Sequence, residues 1–98
     1  DRPNVRYRVV EKDNARQQLM EFLDGRAGES GIVYCQSRKK VEETAQWLSD
    51  EGIVALPYHA GLDADVRRRH QDRFLREDGL VMVAPDRLLI DKDFGPLL

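Results

Sequence analysis

Short strand-like segments alternate with helix-like segments along this chain of 98 residues, and that alternation constrains its fold more than any other feature. Residues Val5–Val10 alternate apolar and polar positions around Tyr7, the pattern of a half-buried strand. Asp13, a favoured N-cap, precedes Ala15, Leu19, Phe22 and Leu23 at helical spacing, and Gly25 and Gly28 close that helix. Ile32, Val33, Tyr34 and Cys35 form an apolar run after Gly31 that is too short for a helix and reads as a strand buried on both faces. Ser37 caps a second helix, with Val41, Ala45 and Leu48 as its core stripe and Gly52 as its end. Residues 53–58 read as a third strand, and Pro57, which lacks a ladder donor, assigns that strand to the sheet border. Asp63 opens a third helix with Val66, His70 and Phe74 on one side, Asp78-Gly79 closes it, and residues 80–84 make a fourth strand. The tail from Pro85 to Leu98 holds two prolines and no clear periodicity, and is expected to be irregular.

The order β-α-β-α-β-α-β predicts an α/β fold, a mainly parallel sheet with helices on both faces joined by right-handed crossovers. With 41% hydrophobic residues the chain can build one core but not two. No apolar run approaches the roughly eighteen residues of a membrane span, and no charged-then-apolar leader opens the chain, so an intracellular protein without a membrane is expected. The single cysteine, Cys35, excludes an internal disulfide and a multi-cysteine zinc site. A formal charge of -2 argues against a polyanion binder overall while leaving room for local basic clusters.

In parallel sheets ligands gather where strand ends feed helix N-termini. Two such loops carry chemistry. In Gln36-Ser37-Arg38-Lys39-Lys40, unpaired backbone N–H groups, the positive helix end and three cations meet, which suits a phosphate; the alternative is a serine cap followed by solvated basic residues. In His59-Ala60-Gly61-Leu62, small residues let a ligand backbone come close; the alternative is a tight turn with an incidental histidine. Arg67-Arg68-Arg69 stands among Asp63, Asp65 and Asp72 and reads as a solvated mixed-charge face. Cys35 is expected to be a small core residue and His70 a hydrogen-bonded, partly buried histidine. His59, His70 and the carboxylates form no metal-ligand spacing, and no G-x-x-x-x-G-K-S/T phosphate loop is present.

At these same loops the sequence resembles the second RecA-like lobe of the RecQ family of superfamily 2 helicases. The resemblance runs from Asp1-Arg2-Pro3-Asn4 and Tyr7, through Ser30-Gly31-Ile32-Val33-Tyr34-Cys35 with Ser37-Arg38, Val41-Glu42 and Leu48, to Gly52-Ile53, Tyr58-His59-Ala60-Gly61-Leu62, Arg67, Gln71, Phe74 and Val81-Met82-Val83-Ala84. It implies a three-layer RecA-like lobe of the P-loop NTPase kind over residues 1–84, followed by a divergent tail over residues 85–98. It also implies ATP-driven 3' to 5' unwinding of DNA in repair and recombination, by a protein of the cytoplasm or nucleoid. ATP and magnesium would serve the full-length enzyme, with neither held tightly by this chain alone. The partners implied are the single-stranded DNA backbone and the first helicase lobe. Ser37, Arg38 and Lys39, with His59, Ala60 and Gly61, would contact DNA phosphates.

The resemblance breaks at Pro85. There the family continues with a threonine and a glycine-rich A-F-G-M-G-I-D-K loop, whereas this chain reads Pro85-Asp86-Arg87-Leu88-Leu89-Ile90-Asp91-Lys92 and keeps only Ile90-Asp91-Lys92, two positions early. The arginine-finger pattern Q-x-x-G-R-x-G-R does not occur. A chain of this kind is expected to supply half of an active site. The rival expectation is a binding or interaction module that kept the fold and lost the motor. In related lobes the first strand lies beyond strands this chain lacks, so an exposed sheet edge is also expected.

Overall fold

The computed structural model describes residues 5–11 and 16–97. Among these residues four strands and four helices follow one another as β1 (Val5–Val10), α1 (Arg16–Asp24), β2 (Ser30–Tyr34), α2 (Arg38–Asp50), β3 (Ala55–Pro57), α3 (Ala64–Arg76), β4 (Val81–Ala84) and α4 (Arg87–Phe94), with a 3-10 turn over Gly95–Leu97. The expected Asp13 cap and Ala15 lie outside the described residues. The sheet is parallel throughout, in the order β1-β2-β4-β3.

That order fixes where the helices go. The chain steps one way from β1 to β2 to β3, then back to β4, so right-handed crossovers require α1 and α2 on one face and α3 on the other. The core divides accordingly. Leu19, Leu23, Val41, Ala45 and Leu48 pack with Tyr7, Val33 and Val83 on the first face. Phe74, Ile90 and Phe94 pack with Ile32, Leu56, Tyr58 and Met82 on the second. β2 and β4, interior in the sheet, are buried at every residue. β3 occupies the border, as Pro57 predicts, and is shorter than residues 53–58; past the proline the ladder continues only through the Tyr58 N–H, 2.8 Å from the Val83 carbonyl. β1 forms the opposite border, paired on one side only.

The expectation of an irregular tail is wrong. Asp86 caps α4, its carboxylate accepting from the Leu89 N–H at 2.9 Å, and Ile90 and Phe94, four residues apart, are buried. The prolines do not interrupt the helix because both flank it, Pro85 before the cap and Pro96 in the turn after it, where neither removes a helical hydrogen bond. One i,i+4 pair is too little to register as periodicity. α4 is held firmly: Tyr58 donates to Asp93 Oδ2 at 2.8 Å, Gln71 donates to the Asp93 carbonyl at 3.0 Å, and Phe94 meets the rings of Tyr58 and Phe74 edge-on at 5.1 and 5.9 Å. No helix among the described residues is long and apolar enough to cross a membrane.

Candidate nucleic-acid interface

Because all four strands are parallel, their C-terminal ends deliver Glu11, the 35–37 loop, the 58–63 loop and Pro85-Asp86 to one edge of the sheet. Ser37 is extended (φ -153, ψ 166) and its Oγ accepts from the Lys40 N–H at 3.2 Å, so the serine acts as the expected cap. Three cations crowd a helix start that carries no acidic residue in its first turn. One of them is offset: Lys40 Nζ lies 3.8 Å from the buried carboxylate of Glu11, at the end of β1. Arg38 and Lys39 remain exposed.

The two loops meet at Gly61. A Cβ there would stand 3.2 Å from Arg38 Nη1 and 3.1 Å from His59 Nδ1, so a side chain at this position would push the guanidinium aside. Ser37, Arg38 and Ala60 line a cavity of about 410 Å³ together with Pro85, Asp86, Leu88, Leu89 and Lys92. Lys39 is exposed but does not line it.

His59 has a different setting. It is buried, its Nε2 lies 2.6 Å from Glu42 Oε2, and its Nδ1 accepts the Gly61 N–H at 3.0 Å. A nitrogen that accepts carries no proton, so the ring proton sits on Nε2 and is donated to Glu42. His59 thus braces the loop against α2, and the Gly61 N–H is already used. The cavity presents cations from α2 and α4 beside the small residue Ala60. Lys92, Leu88 and Glu42 receive no site role from the sequence: the first two depend on α4, and the third on a contact across 17 residues.

Cys35, His70 and Arg68 take the settings expected of them. Cys35 is buried, with Sγ 3.6 Å from Thr44 Oγ1, and burial pushes its thiol up, away from nucleophilic thiolate. His70 Nδ1 lies 2.8 Å from the Pro57 carbonyl, tying α3 to β3. Arg68 pairs with Asp65 at 3.0 Å on an exposed face. No group of three or more metal-ligating side chains occurs among the described residues.

Residues 14–88 match the family model of the helicase conserved C-terminal domain. The chain is 48% identical over 84 residues to the ATP-dependent DNA helicase RecQ of Pasteurella multocida, 45% identical over 84 residues to that of Haemophilus influenzae and 36% identical over 83 residues to that of Bacillus subtilis. These alignments cover 85 to 86% of the chain but only 13 to 14% of each relative. With its RecA-like α/β sheet, the chain belongs to the helicase conserved C-terminal domain family and is a RecQ-family C-terminal helicase lobe.

Proposed function

We propose that this lobe works in an intracellular ATP-dependent helicase that unwinds DNA 3' to 5', holding the tracking strand by its phosphates and closing an ATP cleft against a first lobe. The observation that carries the reading is the cavity in which Arg38, beside the Ser37-capped start of α2, faces Ala60 and Lys92. A phosphate there relieves the conflict between α2's positive end and its own cations, and its contacts carry no base information. ATP and magnesium would come chiefly to the first lobe, since this sequence has no phosphate loop and no arginine-finger pattern. The rival reading, a nucleic-acid-binding module without a motor, draws on α4, a packed helix where a glycine-rich coupling loop is expected.

Single-stranded DNA binding measured against salt tests the grip. With two or three phosphates held, the log–log slope should be about -2, and Arg38→Ala should make it shallower by roughly 0.7. Arg69→Ala, on the solvated face of α3, should change little. An unchanged slope in Arg38→Ala removes the grip. To tell the motor from the module, a first helicase lobe is added in trans: DNA-stimulated ATP hydrolysis supports the motor, and none supports the module.

A further inference from the structure

A second cationic cavity lies beside the first and shares Asp86 with it. It measures about 350 Å³ and is lined by Arg8 and Val10 of β1, Tyr34 of β2, and Asp86 and Arg87 at the start of α4. β1 sends Tyr7 into the core and leaves Arg6, Arg8 and Val10 exposed, Val10 at 65%. Arg8 is held in place, since its Nη1 donates to Tyr34 Oη at 3.0 Å. Among the described residues neither Arg8 nor Arg87 is paired with a carboxylate. Asp86, the one acid in the lining, already caps α4.

Asp86 also lines the Arg38 cavity, so the two form adjoining basins around the start of α4. Together they set four cations, Arg38, Lys92, Arg8 and Arg87, against that one carboxylate, in a chain whose formal charge is -2. Such a concentration suits a ligand that repeats its negative charge along a line. An oriented guanidinium, a second arginine and an adjacent apolar valine match a phosphodiester with its base alongside.

We propose that the Arg8–Arg87 cavity is a second phosphate subsite for single-stranded nucleic acid, extending the strand's path from the Arg38 groove across the start of α4 onto the open face of β1. The proposal rests on reading this lobe as a backbone binder, and it predicts separable contributions from the two basins.

The test is fluorescence anisotropy of a labelled oligothymidylate of about 12 nucleotides with the full chain, titrated between about 50 and 200 mM salt. Arg8→Gln with Arg87→Gln should make the log–log slope shallower by about 1.4, adding to the loss from Arg38→Ala. If the double variant melts early, Arg87→Gln alone, at an exposed helix start, should lower the slope by about 0.7. A loss from Arg38→Ala with none from the Arg8 and Arg87 variants overturns the second subsite and leaves the first. A loss from Arg8 and Arg87 with none from Arg38 upholds the subsite and removes the first grip. No loss from any of them overturns both. Poly-glutamate competing as well as DNA, through the same two arginines, overturns the assignment in favour of an acidic protein segment.

Discussion

The ring of Tyr7 fills the space that a side chain at Gly31 would need: a Cβ built on Gly31 would collide with Cε1, Cδ1 and Cζ of that ring. The two residues are partners across the β1–β2 ladder, beside a shift in its register. A methyl cannot enter without displacing the ring, which also packs edge-on against Phe22 at 5.4 Å. Gly31→Ala should therefore destabilise the chain by about 1–3 kcal/mol, read as a lower urea midpoint. Tyr7→Ala placed in the same chain should remove most of that added penalty, and additive losses would contradict the steric account.

Phe94→Ala distinguishes a tail built into the core from one merely attached. Phe94 is 1% exposed and contacts two aromatic rings, so truncation should cost about 3–5 kcal/mol. A loss below about 0.5 kcal/mol, ordinary for a surface position, would detach α4 from the fold.

Stability should fall in alkali. Burial pushes the Tyr7 hydroxyl up to about 12, with Glu29 adding to the shift and Arg26 opposing it. Burial, then the hydrogen bond to Asp93 and its charge, raise Tyr58 beyond the ordinary tyrosine range. The folded state holds these protons more tightly than the unfolded chain, so their contribution is complete below about pH 10; that of Tyr7 is lost as pH rises through about 12, and that of Tyr58 is lost at higher pH still. Urea midpoints from about pH 10 upward should decline, and Tyr58→Phe should flatten part of the decline. A midpoint level through pH 12 would contradict the burial of both hydroxyls.

The His59 ring should be the tautomer that carries its proton on Nε2. Nitrogen NMR should find Nδ1 unprotonated and the Gly61 amide proton protected from exchange, because each depends on the other at 3.0 Å. Glu42→Ala should loosen this turn and speed exchange at Gly61, and exchange at the wild-type rate would show that His59 does not need its brace.

Ser37 and Pro57 show which parts of the architecture local sequence encodes. A serine before a helix-patterned stretch and a proline at a strand end carry their meaning within a few residues, and each stands where that meaning puts it. The meeting of Arg38 with Gly61 needs two loops set side by side by the β2–β4–β3 arrangement, and the Lys92 contribution needs a helix whose buried face is one pair, Ile90 and Phe94. His59 was legible as a loop histidine but not as a brace, because Glu42 reaches it from the middle of a different element.

The pairing of β2 with β4 joins segments 50 residues apart, Gly31 beside Val81, and the Leu80 N–H to Ser30 Oγ at 3.2 Å. Neither half of the chain has a complete floor for its helices until those central strands meet, so the largest loop must close before most of the burial is gained. Acquisition of the native state is therefore gated by a long-range encounter and should be slower than in a helical bundle of equal length. Substitutions at the β2–β4 seam should act on the folding rate, while those on the exposed face of α3, such as Arg69→Ala, should leave it unchanged.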